Sequence, residues 1–131
     1  MIDESRFINP QALNSIFGRV PGLESSELLE MQLKRDGPTL LIRLMTKQSI
    51  QTKPKQWQDK WDVIYIEMSF IGIRDLNVDK WGTNNFVNLF SIQTFGDEGL
   101  FELECNDQIR IKCKFDWVRV ERVSPGLIGT P

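Results

Sequence analysis

The chain contains no histidine. That absence removes the serine–histidine–acid triad and the cysteine–histidine pair as nucleophilic devices. It also argues against the common catalytic zinc sites, which rely on imidazole ligands. Cysteine is scarce as well. The two present, Cys105 and Cys113, form no Cys-x-x-Cys motif. No Gly-rich phosphate loop occurs, because Gly96-Asp97-Glu98-Gly99 is too short and too acidic to cradle phosphate. Asp75, Asp79, Asp97, Glu98 and Asp107 are Ca²⁺ ligands by type, but their spacing matches no EF-hand loop. No apolar run approaches the roughly 20 residues that span a bilayer. The N-terminal MIDESRF lacks the basic-then-apolar pattern of a signal peptide. A cytoplasmic protein without cofactor or metal is the expectation.

An excess of either charge is also missing. Sixteen basic and 18 acidic residues leave a net charge of −2, which is no footprint for a phosphate backbone. Neither nucleic acid nor a membrane is expected as a partner. What is present is ordinary for a globular protein: 131 residues, 40% apolar and 26% charged, enough for a single domain over 1–131 with one core.

Residues 1–7 read as a loose lead-in. Asn9 then suits a helix N-cap and Pro10 the first helical turn. Leu13, Ile16 and Phe17 share one face, and Gly18 is placed to stop the helix in a left-handed conformation. A hairpin follows. Matching its apolar faces sets 33 opposite 40, 31 opposite 42 and 29 opposite 44, around a four-residue loop from 35 to 38. Residues 46–60 form a long polar loop carrying Trp57, which is either a lid over the core edge or an exposed anchor for a partner. The next strand has Ile64, Ile66, Met68 and Phe70 on one face and Trp61, Val63 and Tyr65 on the other, which predicts a central strand covered on both sides. Gly72 breaks it, and Trp81-Gly82-Thr83-Asn84-Asn85 reads as an ordered turn. Trp81 there either plugs one end of the core or touches a partner.

A strand over 86–94 leads to a turn at Gly96-Asp97-Glu98-Gly99. The following hairpin has its register fixed by its apolar faces: 105 opposite 109, 103 opposite 111, 101 opposite 113. Glu104 then faces Arg110 and Glu102 faces Lys112, as cross-strand pairs on a solvated face. The two cysteines lie four residues apart along the sheet, roughly 13 Å at the usual rise. A disulfide needs Cα atoms within about 7 Å, so two buried reduced thiols are expected. A phase shift near Asp116-Trp117 predicts a bulge or corner. The tail from Ser124, rich in Pro and Gly, is expected to fray. The fold class is α+β, mainly β: one short N-terminal helix, then seven or eight mostly antiparallel strands in two layers.

The run Asn9-Pro10-Gln11-Ala12-Leu13-Asn14-Ser15-Ile16-Phe17-Gly18, with Val20-Pro21, Leu23 and Arg35-Asp36-Gly37-Pro38-Thr39-Leu40, resembles the start of the Immunity protein 50 family. Ser69-Phe70-Ile71-Gly72-Ile73, Asp75-Leu76, Trp81-Gly82-Thr83-Asn84-Asn85 and Val120-Glu121-Arg122-Val123 are similar to it too, in the same order. The loop at 46–60 and the strand at 86–95 do not match the pattern. The resemblance implies a bacterial polymorphic toxin system. In it this protein would bind a cognate toxin domain stoichiometrically, covering its active site or locking it inactive, with no cofactor and no turnover.

The resemblance supplies no contact residues, so the candidates rest on physical chemistry. Trp57, Trp61 and Trp81 suit aromatic anchors. Asp97 and Glu98, at an exposed turn, suit a basic toxin surface. Two other readings stay open. One is a β-domain that binds a small ligand or glycan on Trp57 or Trp81. The other is an enzyme using carboxylates such as Glu98 and Glu102.

Overall fold

Alternation of apolar and polar side chains folds most of this chain into strands. The computed structural model describes residues 1–106 and 108–128; Asp107 and the last three residues of the tail lie outside the described set. A short helix α1 (Gln11–Phe17) precedes β1 (Glu27–Lys34), β2 (Thr39–Thr46), β3 (Val63–Ile71), β4 (Arg74–Asp79), β5 (Val87–Phe95), β6 (Glu98–Cys105), β7 (Arg110–Phe115) and β8 (Trp117–Gly126). The strands form two four-stranded antiparallel sheets, ordered β1-β2-β3-β8 and β4-β7-β6-β5. The mainly β, two-layer architecture with one short helix is thus the one expected.

The core lies between the sheets. Leu40, Ile42 and Leu44 of β2, Ile66, Met68 and Phe70 of β3 and Val118 of β8 are buried from one side. Phe90 and Ile92 of β5, Phe101 and Leu103 of β6 and Ile111 and Phe115 of β7 are buried from the other. Phe70 joins the layers: its ring stacks on Phe101 at 4.0 Å and meets Phe115 edge-on at 5.1 Å. β3 is central in its sheet; on its outer face Val63 and Ser69 are buried while Tyr65, Glu67 and Ile71 are half-buried, so the expected cover on that side is only partial.

A two-stranded ribbon passes from one sheet to the other. Ile71 pairs with Trp117 in the first sheet and Arg74 with Lys114 in the second. The ribbon bends between them, at Gly72 and Asp116. Gly72 has φ +73, and a Cβ on it would stand 2.3 Å from the Asp116 carboxylate. This corner is the phase break expected near Asp116-Trp117.

Both hairpin registers follow the apolar faces, with one difference. Leu33 pairs with Leu40 and Met31 with Ile42, but a bulge puts Leu28, not Leu29, opposite Leu44. The cause is a second pairing at the start of β1: the Leu28 N–H donates to Asn85 O at 2.9 Å, and Glu27 bridges Phe86. Leu28 is drawn into the core and the extra residue is pushed outward. In the second hairpin Phe101 pairs with Cys113, Leu103 with Ile111, Glu102 with Lys112 and Glu104 with Arg110, and Cys105 N donates to Ile109 O at 2.9 Å. Neither cysteine is in a disulfide, and both are buried.

Residues 1–7 and 124–126 are more ordered than expected. Ile2 bridges Ile92 of β5, and Phe7 bridges Val118 of β8. The lead-in therefore ties an edge of one sheet to an edge of the other. Asn9 does not cap α1 with its side chain; Pro10 holds the cap position. Instead the Asn9 amide donates to Val120 O at 2.9 Å and accepts from Val120 N at 2.8 Å. It finishes the exposed edge of β8 because two backbone groups there need partners. Gly18 ends the helix at φ 82, its N–H donating to Asn14 O at 2.8 Å. Ser124, Pro125 and Gly126, expected to fray, continue β8 opposite Tyr65, Ile64 and Val63. Proline is tolerated there because β8 is an edge strand.

Candidate interaction surface

The five candidate residues fall in three separate places. Trp57 lies in the loop between β2 and β3, only 7% exposed, edge-on to Trp61 at 5.6 Å. The loop is pinned to the helix by Gln51 N and Thr52 N, which both donate to Ile16 O. Trp57 is therefore a lid on the core edge, and the expectation of an exposed anchor fails for it. Trp61 is half-buried and precedes β3 rather than belonging to it. Trp81 follows the end of β4 and is 47% exposed, so it does not plug the core.

Asp97 and Glu98 sit at the opposite end of the second sheet from Trp81. Asp97 is exposed in the β5–β6 turn. Glu98 is not a free acid: it lies 3.2 Å from Arg74 and 3.8 Å from Lys114. Arg74 also meets the Asp116 carboxylate at 3.0 Å, and Lys114 meets Asp75 at 3.5 Å. The hydrogen bond to Asp116 raises the Arg74 pKa above its ordinary value; desolvation opposes it, and the bond to Glu98 adds to the rise. Glu104 is likewise paired, with Arg110 at 3.4 Å. Glu104 borders a polar cleft of about 470 Å³ with Lys80, Asn88 and Gln108. Among the described residues no three His, Cys, Asp or Glu side chains are grouped to hold a metal. Among the described residues no helix is long and apolar enough to cross a membrane.

What the fold does gather is an aromatic and arginine patch at the corner. The Arg6 guanidinium lies over the Trp117 ring, 5.1 Å from its centroid. Its Nη1 donates to Asp116 O at 3.0 Å and to Asp97 O at 3.3 Å. Trp117 is 46% exposed and Phe95, which pairs with Glu98, is 60% exposed. From Trp117 the outer face of the first sheet continues through Ile71 to Tyr65, with Arg43 stacked over the Tyr65 ring at 4.5 Å. Trp, Tyr, Phe and Arg are the residues enriched in the buried centres of protein interfaces.

The sequence reading missed Arg6, Phe95 and Trp117. A signal for Trp117 existed. Val118 and Val120 point inward, so a strict period of two turns Trp117 outward, and a tryptophan on the outer phase is an exposed one.

No curated protein and no solved structure matches the chain. The family model described as Immunity protein 50 matches residues 9–126, which takes in every strand and the helix. On that match, the chain belongs to the Immunity protein 50 family.

Proposed function

We propose that this protein is a cytoplasmic immunity protein of a bacterial polymorphic toxin system, acting as one domain over 1–131. It binds its cognate toxin domain stoichiometrically and blocks it without turnover or cofactor. The observation that carries this reading is the Arg6 guanidinium stacked over the half-exposed Trp117 ring, in a chain of an immunity-protein family. Trp117 and Phe95 fill pockets on the toxin, Asp97 and Glu98 meet its basic groups at the rim, and Trp81 makes a separate contact at the far end of the sheet. Trp57 and Trp61 hold the β2–β3 loop in place. The ion pairs around Glu98 and Glu104 favour binding over catalysis.

The test is a tagged pull-down from the native host with mass spectrometry of the stoichiometric partner. The expected partner is a domain of a secreted protein that is toxic when expressed alone and harmless when co-expressed with this chain. Cells shown to make such domains, yielding no bound protein, would count against the reading and favour a small-ligand module.

A further inference from the structure

The four sheet edges are not treated alike. β5 is partly covered by Ile2 and Asp3, and β8 by Phe7 and Asn9. β4 is irregular, with Asp75 at φ 53 and a register shift between Arg74 and Asn77. β1 is different. Its start is bulged and paired with residues 85–87, but Glu30, Met31, Gln32, Leu33 and Lys34 run in regular register with β2, and β1 is outermost in its sheet. Leu33 is on the core-facing phase, opposite buried Leu40, yet it is 57% exposed, because no described strand lies beyond the edge. A regular, uncovered edge strand is a template for another strand.

We propose that β1 pairs with β1 of a second copy of this chain, antiparallel about a two-fold axis through Gln32, joining the two first sheets into one. The sequence of the edge is self-complementary about that residue. Glu30 falls opposite the second copy's Lys34, and Met31 opposite the second copy's Leu33. The axis repeats each pair, as an isologous interface requires. Glu30 and Lys34 then meet as opposite charges on the outer face, and Met31 with Leu33 extends the apolar layer. Within one copy Glu30 and Lys34 stand four residues apart along a strand, roughly 13 Å, so they do not satisfy each other. An axis at Met31 would set Lys34 against Leu28, which is already bonded to Asn85. An axis at Leu33 would set Met31 against Arg35 in the turn. Gln32 is the centre of the free regular stretch and the register that matches charge to charge.

Such an interface is small, so the dimer is a weak one in the micromolar range. β8 is the opposite edge of the same sheet, so pairing through β1 leaves the Trp117 patch open on both copies. The inference goes beyond toxin binding and does not rest on it.

Sedimentation equilibrium on the purified full chain, up to about 200 µM to reach a weak dimer, tests the proposal. A reversible dimer is expected. Lys34→Glu faces only Thr39 within its own chain, so the fold is spared while both cross-axis pairs become like-charged. Its dissociation constant should rise at least about tenfold. Adding Glu30→Lys should restore the dimer. Circular dichroism checks that double variant, since its new lysine faces its own Arg43. A monomer at all concentrations, a dimer indifferent to Lys34→Glu, or a folded double variant that fails to restore pairing would each overturn the proposal. So would a chain that is monomeric alone and shows hydrogen-exchange protection at 30–34 only after toxin is added, which would assign the edge to the toxin.

Discussion

One nitrogen of Arg6 donates to the carbonyls of Asp97 and Asp116 while its guanidinium covers the Trp117 ring. A single side chain of the N-terminal segment thereby ties together the β5–β6 turn, the corner between the sheets and an exposed indole. A ring held in this way loses little freedom on binding, and low ordering cost is what makes an aromatic residue an effective anchor. Trp117→Ala is therefore expected to weaken toxin binding by at least about 2 kcal/mol, roughly thirtyfold. Thermal stability should change little, because about half of the side chain faces solvent. Phe95→Ala should act the same way, more weakly. Calorimetric titration beside thermal melts separates the two quantities. Unchanged affinity in both folded variants would move the docking surface away from the corner.

Trp57 should behave in the opposite sense. Its ring is buried under the β2–β3 loop against Trp61 and joins the core cluster. Trp57→Ala is expected to cost about 3 kcal/mol of folding stability, the usual scale for losing a large buried aromatic. Urea unfolding measures it. A loss below about 1 kcal/mol would mean the loop is not the lid described, since surface changes seldom exceed half of that.

At the corner, Gly72→Ala is expected to destabilise by about 1–3 kcal/mol. Two causes act: a positive φ that favours glycine, and a collision with the Asp116 carboxylate. Removing the carboxylate separates them. In an Asp116→Ala background the same glycine change should cost less, though not nothing, because the φ penalty persists. A double-mutant cycle in chemical denaturation reads the difference. Strict additivity would contradict the close approach of the two residues.

How far the sequence carries depends on the kind of interaction. The second hairpin is legible because two signals agree: Phe101, Leu103 and Cys105 need partners on one face, and Glu102 and Glu104 find opposite charges on the other. The corner at Asp116 is legible because a change of phase in an alternating pattern has few geometric causes. The bulge before Glu30 is not, since it arises from a contact with residues 85–87, remote in sequence. Asn9 illustrates the same limit. Locally it is an ideal helix cap, yet the exposed edge of β8 competes for its amide and wins both bonds. Polar neighbours leave Trp57 open as either a lid or an exposed anchor, and only the fold of the long loop decides for the lid. The docking surface proposed above draws on residues 6, 95 and 117, which no local motif joins.

Cys113 gives a prediction with a definite sign. Burial pushes its thiol up to about 12 from an ordinary 9.0, with the nearby Arg74 charge opposing only weakly. A folded pKa raised above the unfolded one means that the neutral thiol's contribution is fully present below the unfolded value and is lost as pH rises toward the folded value. The window is therefore pH 9.0 to about 12. At about pH 10.5 the folded protein should have lost about 2 kcal/mol relative to neutral pH through this group. Cys113→Ala removes that component, so the gap between wild type and variant should narrow as pH rises. Alkylation supplies the independent check: only thiolate reacts, so the native chain should resist iodoacetamide near pH 8.5 at Cys113 and react promptly once unfolded in urea. Fast native labelling at Cys113, mapped by peptide mass, would show that the strand pair between β6 and β7 opens far more readily than a buried register of this kind allows.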